Sequence, residues 1–114
     1  MSLLSDIHTI LTPLGIPVET GVFTDAAPDT YLVVVPMTET YDVFADNLPT
    51  VDVGEARLAL YAKGNYQAVK NQLLAAFLAA GFTITQRAYI GYEPDTGYHH
   101  YSIDVANYYD MEAD

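Results

Sequence analysis

Residues 55–81, "EARLALYAKGNYQAVKNQLLAAFLAAG", carry two hydrophobic periods back to back. Over 55–62 the period is two: Ala56, Leu58, Leu60 and Ala62 point one way, and Glu55, Arg57, Ala59 and Tyr61 the other. That is how a strand lays successive side chains on opposite faces of a sheet. Beyond Asn65 the period becomes helical, with Val69, Leu73, Ala76, Phe77 and Ala80 forming one stripe. Gly64 breaks the strand, and Asn65 offers a side-chain oxygen to a free N–H of the first turn. Gly81 tolerates the left-handed conformation that closes a helix. A strand with one apolar face, followed at once by an amphipathic helix, predicts a helix packed on a sheet.

Working outward, "SLLSDIHTILTPLG" (2–15) spaces Leu3, Ile7, Ile10, Leu11 and Leu14 as a second helix. Ser2 or Ser5 can cap its start, Asp6 suits its positive end, and Pro13 with Gly15 stops it. His8 lies beside the stripe and reads as a packed or half-exposed side chain rather than a ligand. "IPVETGVF" (16–23) reads as a strand near a sheet edge because of Pro17, and "DAAPD" (25–29) as a polar loop. The β-branched run "TYLVVV" (30–35) predicts a strand buried on both faces and ended by Pro36. "ETYDVFADNLPTVDVG" (39–54) reads as a strand continuation into a long acidic loop.

On the C-terminal side, "FTITQRAYIGYE" (82–93) and "YHHYSIDVANYY" (98–109) read as a hairpin around "PDTG". Counting outward from that loop sets Tyr92 opposite His99, Ile90 opposite Tyr101 and Ala88 opposite Ile103. On the other face Gly91 meets His100, Tyr89 meets Ser102 and Arg87 meets Asp104. The element order is then α-β-β-β-α-β-β in one domain over residues 1–114. The fold class is α+β, with two helices on one face of a mostly antiparallel sheet. "YYDMEAD" (108–114) reads either as an acidic tail or as an interface arm.

The strip "YHHYSID" (98–104) contains the residue types of a hydrolase triad, yet the spacing is wrong for one. Ser102 lies between His100 and Asp104, whereas a triad needs the imidazole between nucleophile and carboxylate. Four strand residues also separate His100 from Asp104 by about 13 Å. His99 and His100 point to opposite faces, so one ion cannot take both from a regular strand. The carboxylates Asp42, Asp46, Asp52 and Glu55 lack the ligand alternation of a calcium loop. "AKGNY" is a strand-to-helix turn and not a phosphate cradle. No catalytic, metal or cofactor site is expected.

Composition narrows the partners. The chain has 114 residues, 51% hydrophobic, enough for one core and no more. It has no cysteine, and no apolar run approaches the roughly 20 residues of a membrane span. No Lys or Arg precedes Arg57, so a basic leader is not expected either, and the chain reads as soluble and cytosolic. Four bases against 15 carboxylates give 4 − 15 = −11. Residues 1–56 hold nine of those carboxylates and no base. Such a chain cannot grip phosphates by counterion release, which argues against specific nucleic-acid binding. Ten tyrosines without tryptophan suit contact surfaces as well as ordinary sheet packing. Tyr61, Tyr89 and Tyr98, with Tyr108 or Tyr109, fall on outward phases. They are expected, with His100 and the loop residues Asp42, Asp46 and Asp52, to form an interaction surface opposite the helices.

Three stretches, "DTYLVVVPMTETYDVFADNLP", "EARLALYAKGNYQAVKNQLLAAFLAAGF" and "YEPDTGYHHYSIDV", together resemble the small tail-terminator or tail-completion proteins of long-tailed phages and prophages. The resemblance spans most of the chain after residue 28, and "ADN", "LYAKGN" and "YEPDTGYHH" are its most family-like pieces. It implies a structural virion-assembly protein and not an enzyme. Such proteins form a ring, typically hexameric, that caps the tail tube and docks the head connector. The implied partners are further copies of the chain, a tail tube protein and a head–tail connector protein. The implied location is the host bacterial cytoplasm during assembly and then the virion tail. A different class of reading is an α+β module that binds a peptide or small ligand on its open sheet face. An enzyme built on His99, His100 or the acidic loop would need partners that the sequence does not place.

Overall fold

The helix stripe and the strand alternation meet as the sequence predicts. The computed structural model describes residues 3–19, 28–45 and 48–110, with side chains outside 38–51 and 110. Helix α1 (Leu3–Leu11) runs into a 3-10 turn (Thr12–Leu14) that Gly15 ends at φ 70°. Then follow β1 (Val18–Glu19), β2 (Thr30–Ala45), β3 (Leu48–Ala62), α2 (Tyr66–Ala79), β4 (Thr83–Glu93) and β5 (Tyr98–Asp110). The sheet order is β1-β2-β3-β5-β4, antiparallel except where β1 lies parallel to β2. The fold is α+β in the expected order. β1 takes the edge, as Pro17 suggests.

One side of the sheet carries the core. Leu32 and Val34 of β2, Leu58 and Leu60 of β3, and Ile103 and Val105 of β5 are fully buried beneath Ile7 and Leu11 of α1 and Leu73 and Phe77 of α2. Each such side chain contributes about 1.5–3 kcal/mol by leaving water. The α2 stripe is narrower than its sequence: Ala76 is half-buried and Ala80 exposed. The Asn65 side chain accepts from the Ala68 N–H at 3.3 Å, and Gly81, at φ 87°, ends the helix.

Two expectations need correction. The strand continues past residue 39 as expected, but no long loop follows it: residues 39–45 and 48–54 are strand, and β2 and β3 stay paired from Thr30↔Ala62 to Ala45↔Leu48. Pro36 does not end the strand because the register shifts between Pro36 and Thr38. A bulge there absorbs the missing N–H, and pairing resumes at Thr38↔Glu55. The result is a hairpin arm that runs past the level of Gly54, where Leu3 of α1 meets the sheet. β5 follows it to Val51↔Asp110, so Tyr108, Tyr109 and Asp110 belong to the sheet; 111–114 lie outside the described residues.

The second correction concerns the β4–β5 register. Near the loop it is as expected, with Tyr92↔His99, Gly91↔His100 and Gly97 at φ 83°. A shift between Tyr89 and Gly91 then leaves Ile90 as an extra residue, and a second between Ile84 and Gln86 leaves Thr85. Tyr89 therefore pairs with Tyr101, Ala88 with Ser102 and Arg87 with Ile103. A one-residue slip exchanges the faces of a strand, so Arg87 does not meet Asp104. Arg57, on β3, does.

Candidate functional site

The sheet face away from the helices carries an aromatic row whose members come from three strands. Tyr31, Tyr61 and His100 occupy one register line across β2, β3 and β5. Tyr31 and Tyr61 stack at 4.9 Å between centroids with 12° between planes. Tyr61 and His100 stack at 4.3 Å and 18°. Tyr98 stands edge-on to Tyr31 at 5.5 Å and to Tyr61 at 6.2 Å, and its hydroxyl donates to the Pro28 carbonyl at 2.7 Å. Lys63 Nζ sits 4.9 Å over the Tyr98 ring and 3.7 Å from Asp29. Stacking consumes the ring faces, so the row offers mainly edges to a partner. Burial pushes the Tyr31 and Tyr61 hydroxyls up and the His100 imidazole down, which keeps the row neutral near pH 7.

Next on the same face of β5 come Ser102 and Asp104, 7% and 2% exposed. Arg57 Nε donates to Asp104 Oδ1 at 2.8 Å and its Nη2 to Oδ2 at 3.1 Å. This bidentate fork commits the carboxylate and shields it. Thr85, bulged out of β4, donates to Glu55 Oε2 at 2.6 Å, with the Asp104 carbonyl 3.3 Å from the same hydroxyl. His100, Ser102 and Asp104 share a face but form no relay.

A second aromatic group lies on the helix side. Tyr89 Oη and His99 Nδ1 are 2.9 Å apart, and Tyr92 packs 4.9 Å from the His99 ring. Tyr66 of α2 stacks obliquely near Tyr89 at 5.3 Å and His99 at 5.0 Å. Tyr89 belongs here and not on the open face, because the bulge beside it reverses its side.

The expected surface is thus divided. Tyr61, Tyr98 and His100 come together, though Tyr98 is 7% exposed and serves as a support rather than a contact. Tyr108 lies on the open face and is exposed, while Tyr109 turns to the helices and donates to Asp6 Oδ2 at 2.8 Å. Asp52 is half-buried in β3, on a line with Tyr41 and Tyr109. Asp42 pairs with Val51 in the arm, and its side chain and all of Asp46 lie outside the described residues. Sequence reasoning missed Tyr31, Tyr66 and His99 as members of the two groups. The Tyr31–Tyr61 pairing follows only once 39–54 is known to be a hairpin, since its length sets the register.

A separate groove of about 240 Å³ between α2 and β4 is lined by Leu74, Leu78, Ile84 and Arg87. Among the described residues no three His, Asp or Glu side chains gather to hold a metal, and no helix is long and apolar enough to cross a membrane. No protein-family model matches the chain, and no curated protein matches it.

Proposed function

We propose that the chain is a structural virion-assembly protein, a ring-forming tail terminator that caps a tail tube and joins it to the head. It would assemble in the host bacterial cytoplasm and remain in the virion tail. The observation that carries this reading is the β2–β3 hairpin arm, which continues beyond the helix-covered core. A two-stranded hairpin is marginally stable alone in water, so one that extends from a domain gains stability from neighbours. One of the three stretches that carry the family resemblance, "DTYLVVVPMTETYDVFADNLP", includes β2, the first strand of that arm. The charge of −11 supports it further, because a negative bore repels DNA and lets it slide.

The binding-module reading has less support. The aromatic row spends its ring faces on itself, and the α2–β4 groove, at about 240 Å³, is smaller than the roughly 300–1,000 Å³ of ordinary ligand sites.

Light scattering behind size exclusion tests the proposal. The chain weighs 12.5 kDa, so six copies weigh 6 × 12.5 = 75 kDa. A species near that mass at high protein and salt concentration, seen as closed rings by electron microscopy, is the expected result. Closed dimers with no larger species would count against a ring.

A further inference from the structure

The groove between α2 and β4 has the make-up of a receptor for another segment of protein. Leu78 on its wall is 59% exposed, although Leu73 and Phe77 of the same helix are fully buried. β4 ends the sheet, so among the described residues no strand pairs with its outer edge. Tyr89, Ile90 and Tyr92 continue the exposed apolar surface along that strand. The remaining wall residue is a cation, Arg87.

Arg87 differs from the three other bases of the chain. Arg57 is forked onto Asp104, Lys63 lies by Asp29 and over Tyr98, and Lys70 lies 5.4 Å over the Tyr101 ring. Arg87 makes no ion pair among the described residues. A groove with an apolar wall and an available guanidinium complements an apolar segment that carries carboxylates. The chain has such a segment in its hairpin arm. Residues 38–54 hold Glu39, Asp42, Asp46 and Asp52 with no base, among Tyr41, Val43, Phe44, Leu48, Val51 and Val53.

We propose that the α2–β4 groove receives the β2–β3 hairpin arm of a second copy of the chain, with Arg87 facing the arm's carboxylates. The contact rests on the ring reading and names the surfaces that would build the ring. It joins two different surfaces, so each copy both gives an arm and takes one, and repetition makes a ring or a filament rather than a closed dimer. The far end of the same copy's arm lies away from its own groove. Ile84 is level with Val105 and Ala56, and Leu48 lies 56 − 48 = 8 residues further along β3. Eight residues span roughly 26 Å.

The absence of cysteine makes the test direct. One preparation carries Leu78→Cys and another Phe44→Cys; they are mixed and treated with a short bis-maleimide. A mixed cross-linked pair is expected at least five-fold above that from Tyr108→Cys mixed with Phe44→Cys. Adding Arg87→Glu to the Leu78→Cys copy should remove it, and Asp42→Lys with Asp46→Lys in the arm should restore it. Circular dichroism of each variant checks the fold. Equal cross-linking from Leu78→Cys and Tyr108→Cys, or none, overturns the proposal. Mass measurement separates the two ideas. A 75 kDa ring that Arg87→Glu leaves intact removes the groove contact and spares the ring, whereas specific cross-links without any closed ring do the reverse.

Discussion

At Asp104 the fold buries a carboxylate whose one ion pair among the described residues is with Arg57. Removing the guanidinium leaves that group out of water without its partner, which costs more than removing both. Arg57→Met is expected to lower stability by about 2 kcal/mol in urea unfolding. Arg57→Met with Asp104→Leu should cost clearly less, and equal losses would show that the fork contributes nothing beyond its packing. His100 makes a second case. Burial lowers its pKa, opposed by Glu93 and then aided by Arg57. A depressed folded value means that the unfolded chain binds the proton more readily. Stability is therefore full above about pH 6.5 and falls as pH drops from there towards the lower folded value. The ring signals of His100 in a proton NMR titration should move at a midpoint below 6.5, and His100→Phe should keep the stack and flatten its share of that slope. A midpoint above 6.5 would reverse the argument.

At the level of elements, α1 is tied to the far end of the chain by Tyr109, whose hydroxyl donates to Asp6. Burial, with this hydrogen bond to a carboxylate, pushes the Tyr109 pKa up to about 12. A raised folded value holds the contribution intact below the unfolded pKa of about 10 and loses it as pH climbs to 12. Tyr109→Phe should cost about 1 kcal/mol at pH 8. By pH 12 its urea midpoint should converge on that of the parent; a constant gap would mean that the bond is not the source. The helices were legible because stripe, cap and stop agree: Asn65 and Gly81 bound α2 within a residue of expectation. The hairpin loop 94–97 was legible for the same reason. The arm was not, since Pro36 mimics a strand end and nothing local announces the bulge that accommodates it. The bulges at Thr85 and Ile90 are equally silent, so counting from the loop sets Asp104 against Arg87 instead of Arg57 and puts Tyr89 on the open face. The aromatic row was half legible: Tyr61 and His100 by phase, Tyr31 only through a register that depends on the arm.

Over the whole molecule, charge and packing pull in opposite directions. The net charge of −11 is spread unevenly, with nine carboxylates and no base in residues 1–56. Self-repulsion of this size destabilises the compact state and is screened by salt, with a Debye length of about 10 Å at 0.1 M. The two ion pairs among the described residues oppose this little, because Arg57–Asp104 is partly shielded and Lys63–Asp29 is long and exposed. Added salt should therefore raise the melting temperature, by a few degrees between about 0.02 and 0.5 M. Assembly would raise it too, by mass action, but only in proportion to the logarithm of protein concentration. Calorimetry at two protein concentrations separates them. A salt effect equal at both belongs to the single chain, and one that grows with concentration belongs to contacts between copies. Arg87→Glu should then leave the first component in place while removing the second. A melting temperature that falls with salt would mean that local attractions outweigh the net repulsion, and that the acidic half of the chain is balanced within the fold after all.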